Sequence, residues 1–166
     1  MPTIHDPLAL TAPRLRQAYA YGANKAGDRP MPARRDIDPT EIPSLLPFVM
    51  LLDVIPEPLD FRYRLIGTQV VNISHANYTG KLFSELPGKG SGSSVWNSCE
   101  QVVLTKAPFS EPPPYVGPEQ SLRECENLLL PLSEDGARVN MILKIISFEL
   151  RRSSAAEIKA HRPAIR

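Results

Sequence analysis

The residues able to carry chemistry are few and scattered. His5, His75 and His161 stand far apart, and Cys99 and Cys125 form no Cys-x-x-Cys pair, so no metal-ligand spacing is present. Nucleophilic catalysis would need a serine or cysteine beside a base. The Gly-x-Ser-x-Gly motif is missing, and Gly90-Ser91-Gly92-Ser93-Ser94 reads as a linker running into a helix cap. The Gly-x-Gly-x-x-Gly dinucleotide fingerprint is also absent. Asp53, alone among apolar neighbours in residues 48–55, is the one candidate acid or base. Arg62 and Arg64 alternate with Phe61, Tyr63 and Leu65. Such a pair can grip a carboxylate or phosphate, or simply stay solvated or ion-paired, with Asp36, Asp38 and Asp53 as partners. These residues point to binding and not to catalysis.

The candidate binding residues are Tyr63, Tyr78, Trp96, Cys99, Tyr115 and Asn127, aromatic or small groups able to line a cavity with a few polar atoms. Trp96 and Tyr115 serve equally well as plain core. Cys99 falls in an apolar stripe and reads as a buried structural cysteine.

The chain has 166 residues, enough for one domain with a full core. Its 19 Lys+Arg and 18 Asp+Glu give a net charge of +1, which removes the electrostatic case for nucleic acid. No stretch nears the roughly 20 apolar residues of a membrane span, and the first residues lack the charged start and apolar run of a signal peptide. The expected location is cytoplasmic, without membrane insertion. Proline is abundant, 18 residues set between apolar segments, where it punctuates a folded domain.

The elements that must position these residues can be read in order. Pro13 opens a helix over residues 13–26 whose stripe is Leu15, Ala18, Tyr19 and Gly22. A short second helix is expected after Asp38 as cap, with Pro39 first, Glu41 completing a capping box, and Ile42, Leu45 and Leu46 inward until Pro47 stops it. Residues 48–55 are apolar on both faces, as in a central strand; residues 60–66 alternate, as at an edge. Short helical pieces are expected near 70–75 and 82–86. A clear helix runs from Ser93 or Ser94 to Lys106 on the stripe Val95, Trp96, Cys99, Val102 and Val103. Three strands follow, over 109–116, 124–132 and 137–150, the first limited by Pro112-Pro113-Pro114 and the last two joined at Glu134-Asp135-Gly136. In the last strand Val139, Met141, Leu143 and Ile145 form an apolar face expected under the long helix. Ile142, Ile146 and Phe148, with Asn140 and Lys144, fall on the opposite face, expected to be covered by the first helix or by a second copy. A homodimer through Leu15, Tyr19, Ile142, Ile146 and Phe148 is the corresponding expectation.

Ranking the strands by apolar content places 48–55 beside 137–150 at the centre and the other strands outward. The expected fold is α+β: a five-stranded antiparallel sheet in order 2-1-5-4-3, helices on one face, and an N-terminal helix. Residues 1–12 form an arm, 13–150 the single domain, and 151–166 a basic, flexible tail.

That order and content resemble the PAS fold. Several stretches are similar to a branch of PAS-like proteins found as short stand-alone chains in alphaproteobacteria. They are Pro32-Ala33-Arg34-Arg35-Asp36-Ile37-Asp38-Pro39, Leu45-Leu46-Pro47, Leu52-Asp53-Val54, Phe61-Arg62-Tyr63-Arg64-Leu65-Ile66-Gly67-Thr68, Tyr78-Thr79-Gly80-Lys81 and Leu129-Leu130-Pro131-Leu132-Ser133-Glu134-Asp135-Gly136. The resemblance implies a sensory or regulatory domain that binds a small molecule between the long helix and the sheet and signals through contact with another protein. A ligand-free interaction module is the alternative, and an unrecognised enzyme a third. No cofactor is identified: the long helix lacks the histidine typical of haem-binding members, and the cysteine motif of light-sensing flavin members is missing.

Overall fold

The computed structural model describes residues 8–111 and 122–150. Pro112–Pro114, Tyr115 and the basic tail therefore lie outside the described residues. Helix α1 spans Pro13–Ala26, strand β1 Val49–Pro56 and strand β2 Leu59–Ile66. Helix α2 (Thr68–Ser74) and α3 (Ser94–Thr105) precede β3 (Phe109–Glu111), β4 (Leu122–Leu132) and β5 (Met141–Leu150). All pairings are antiparallel and the sheet order is β2-β1-β5-β4-β3, as the apolar ranking of the strands predicts.

Each sheet face carries its own core. Met50, Leu52, Phe61, Tyr63, Leu129, Ile142 and Ile146 face α3, which contributes Trp96, Cys99 and Val102. Val49, Leu51, Leu128, Leu130, Met141, Leu143 and Ile145 face α1, which contributes Leu15 and Ala18. This reverses the expected faces of β5. Ile142 and Ile146 lie beneath α3 at 0% and 7% exposure, and the wholly apolar set lies beneath α1. Residue alternation separates two faces without saying which helix covers either one. Val139 precedes the strand and packs on the α3 side.

Three local expectations differ from the structure. The segment after Asp38 is a series of 3-10 turns (Pro39–Glu41, then Leu46–Phe48), not one helix, because prolines at 39, 43 and 47 interrupt the backbone ladder. Asp38 does cap Thr40, but Glu41 turns away to Lys25 and the Tyr21 hydroxyl, each at 2.7 Å. Leu46 is correspondingly exposed. In β2 the pairing with β1 slips between Leu51 and Leu52, and this bulge turns Leu65 out of line with Phe61 and Tyr63, leaving it 48% exposed. Finally, β5 starts at Met141 and not at Ala137. Residues 133–140 form a wider loop in which Asp135 Oδ1 accepts from the amides of Ala137 and Arg138 and the Ser133 hydroxyl donates to it, while Asn140 Oδ1 accepts from the Glu134 amide.

Helix α1 has no capping side chain of its own, since Ala12 occupies the cap. Glu126 on β4 takes over, its carboxylate accepting from the amides of Thr11 (3.0 Å) and Ala12 (3.2 Å) and from the Thr11 hydroxyl. A carboxylate there also faces the positive end of the helix dipole. Glu126→Gln is expected to cost about 1 kcal/mol, within the usual range for losing a cap, seen as a melting temperature lower by about 3 °C. An unchanged melt would show that the contact is idle.

Candidate functional site

Helix α3 starts where Ser93 accepts a hydrogen bond from the Trp96 amide, and its inward side then carries Trp96, Cys99 and Val102 across the sheet. Opposite it, β2 supplies Phe61 and Tyr63. Phe61 is fully buried, edge-on to Trp96 with centroids 5.1 Å apart and 5.4 Å from Phe83. Tyr63 lies 4.8 Å from Phe83 and 6.1 Å from the half-buried Tyr78. Four of the six candidate binding residues, Tyr63, Trp96, Cys99 and Asn127, are thus buried on this side of the sheet, with Tyr78 at its margin; Tyr115 falls outside the described residues.

The polar content of this side comes from β4 and β5. Lys144 pairs with Met50 on one neighbouring strand and Leu129 on the other, and Asn127 is its diagonal neighbour across β4 and β5. Both are buried, Lys144 at 8% and Asn127 at 6% exposure. The Lys89 ammonium enters from the loop before α3 and lies 5.8 and 5.5 Å from the ring centres of Tyr63 and Tyr78. Sequence alternation had placed Lys144 on a mixed face. It gave no reason to single out Lys89, which belongs to a glycine-rich stretch without periodicity. A lone cation between isoleucines on a strand apolar on both faces was the available signal.

Burial governs the electrostatics. It pushes the Cys99 thiol up to about 11, with the Lys144 charge pulling partly the other way, and raises Cys125 for the same reason. Tyr63 is raised well above the usual phenol range by burial, then by Cys99 and Tyr78. Lys89 is lowered, first by burial and then by the like charge of Lys144. Both thiols and the Tyr63 hydroxyl therefore stay neutral at pH 7.

The remaining candidates sit elsewhere. Leu15 is fully buried beneath the sheet, Tyr19 is half-buried on α1, and Phe148 packs on Phe48 at 5.7 Å. Arg64 pairs with Asp53 at 3.3 Å, which gives both residues an ion-paired role at the sheet edge. Arg62 is exposed in β2, and His75 ends α2 in a left-handed conformation. Among the described residues no three His, Cys, Asp or Glu side chains converge as metal ligands, and no helix is long and apolar enough to cross a membrane.

Compared with known proteins, residues 10–147 match a family model described as PAS domain. No curated protein and no solved structure gives a significant match.

Proposed function

The chain belongs to the PAS domain family, and from that premise we propose that it binds a small molecule beneath α3 and passes the signal on by contact with another protein. PAS domains are sensory or regulatory domains. The observation that carries the ligand reading is the pair of polar side chains, Asn127 and Lys144, buried on the sheet face under the long helix. A core built only for packing gains little from an amide and a lysine stem on its inner face, because polar atoms drawn away from water cost free energy. The neutral, high-lying thiol of Cys99 makes it wall and not nucleophile, consistent with binding without catalysis.

A ligand-free interaction module is the second reading. It is favoured by the close aromatic packing of Phe61, Phe83 and Trp96, which fills much of the same side.

Native mass spectrometry of freshly purified protein, with an absorbance spectrum above 300 nm, separates the two. A bound mass or a coloured group supports the sensor. A bare, colourless polypeptide, from several expression hosts and without response to metabolite mixtures, favours the interaction module.

A further inference from the structure

We propose that the outer corner of β1 and β2, around Leu65 and Arg62, docks an acidic segment of a partner protein. The inference rests on the reading of signalling by contact given above, and names the surface and the chemistry of what it touches.

The corner exists because the cover of the sheet thins there. Helix α1 packs on β4 and β5, while Ile42 and Leu45, from the segment after Asp38, share a core with Val49 and Leu51. Beyond Leu51 burial falls. Asp53 and Ile55 are half-buried, and Leu65, paired across from the buried Leu51, is 48% exposed. The Leu46 turn is held against the end of β2 by the close approach of its carbonyls to Gly67. Leu46, itself exposed, therefore belongs to the same corner. Apolar side chains grouped within a charged rim mark interaction surfaces, whereas single exposed ones need no explanation.

The charges decide the partner. Arg62 stands across from Asp53, yet Asp53 accepts from Arg64 at 3.3 Å. Asp60 is engaged by the Ser84 amide and hydroxyl. Among the described residues Arg62 has no ion pair, and Arg64 spends one nitrogen on Asp53. The corner thus offers guanidinium donors in excess of acceptors. A carboxylate can take them through two parallel bonds, and a leucine-sized side chain beside it would cover Leu65.

A second copy of the chain fits worse. A two-fold contact sets the same patch against itself, and with it arginine against arginine. A basic partner meets the same repulsion.

Two synthetic peptides serve as probes, one alternating glutamate with leucine and the other lysine with leucine, titrated into the isotope-labelled full chain. The acidic peptide is expected to shift the amide resonances of Asp53, Arg62 and Leu65 and to leave those of α3 in place. The lysine peptide should shift neither set. Arg62→Ala should weaken the binding roughly tenfold, as for losing a hydrogen bond to a charged group, and should flatten its dependence on salt. Leu65→Ser should weaken it by a similar factor through lost apolar contact. Leu104→Ser, at the exposed leucine of α3, should leave it unchanged. All three positions are exposed, so each variant should melt within about 2 °C of wild type.

Equal binding of the two peptides, an equal loss in the Leu104 variant, or no binding of either peptide would overturn the assignment. A dimer in light scattering that Leu65→Ser dissolves would replace the acidic partner by a second copy. Each of these outcomes leaves the small-molecule reading standing, since native mass spectrometry tests that separately. A ligand-free chain that still binds the acidic peptide at this corner would remove the ligand and keep the contact.

Discussion

Phe61→Ala is expected to destabilise the domain by about 3–5 kcal/mol, the usual cost of emptying a fully buried aromatic site. Phe61 has no exposed surface and stands at the junction of three elements. It touches Trp96 of α3 edge-on at 5.1 Å and meets Phe83 at 5.4 Å. Its backbone pairs with Val54 of β1. Alanine would leave a void that neither ring can fill without tilting off its own contacts. With melting shifts of about 2–4 °C per kcal/mol for a chain of this size, the melting temperature should fall by roughly 10 °C. Phe61→Leu keeps most of the volume but loses both aromatic pairs, and should cost about 1–2 kcal/mol. A drop of less than 2 °C for the alanine variant would mean that the space beneath α3 collapses freely.

That experiment also bears on how much of the molecule the sequence discloses. The apolar character of residues 48–55 and 141–146 is enough to put β1 beside β5, and the single-faced alternation of Phe61 and Tyr63 is enough to put β2 at an edge. The strand order follows once the triple-proline segment is read as the other edge. Less legible is the side of the sheet that each helix takes. In β5 both residue sets, Met141-Leu143-Ile145 and Ile142-Ile146, are apolar, so periodicity gives two equivalent solutions. Lys144 breaks the tie in the wrong direction. Charge suggests an outer face by desolvation, whereas the lysine lies under the long helix.

The candidate site was legible to a similar depth. Tyr63, Trp96, Cys99 and Asn127 lie on one side because strand and helix periods place them there. Lys89 belongs to a stretch with no period at all, and only the fold brings it over the tyrosine rings. Glu126 escaped for a related reason. Its contact with Thr11 and Ala12 spans more than 110 residues of chain, beyond any local capping pattern. The interruption of the 38–48 segment into 3-10 turns was present in the spacing of its prolines, which outweighs the capping signal of Asp38.

The second large effect is expected at Gly67, at the end of the Phe61–Thr68 block. Its φ of −66° and ψ of 154° suit any residue, so no backbone preference calls for glycine. The requirement is steric. A Cβ on Gly67 would lie 2.4 Å from the Pro47 carbonyl oxygen and 2.5 Å from that of Leu46. Both are backbone atoms of the Leu46–Phe48 turn, and no side-chain rotation can move them aside. The approach is fixed from the other side as well, because the Gly67 amide donates to the Val49 carbonyl at 2.7 Å. Gly67→Ala must therefore shift the turn, strand β1 or the start of α2, and should cost about 3 kcal/mol, at the upper end of ordinary overpacking. The melting temperature should fall by about 9 °C. Gly80→Ala provides the contrast: its φ of +89° makes alanine strained, but nothing lies within 4 Å, so only the conformational cost of about 1 kcal/mol applies. Because α2 carries Val70 and Ile73 into the core beneath α3, the Gly67 variant should also lose hydrogen-exchange protection across α2, while the Gly80 variant keeps it. Equal melting temperatures for the two variants would show that the turn yields to a methyl group. The glycine would then be no more than a convenience at the head of α2.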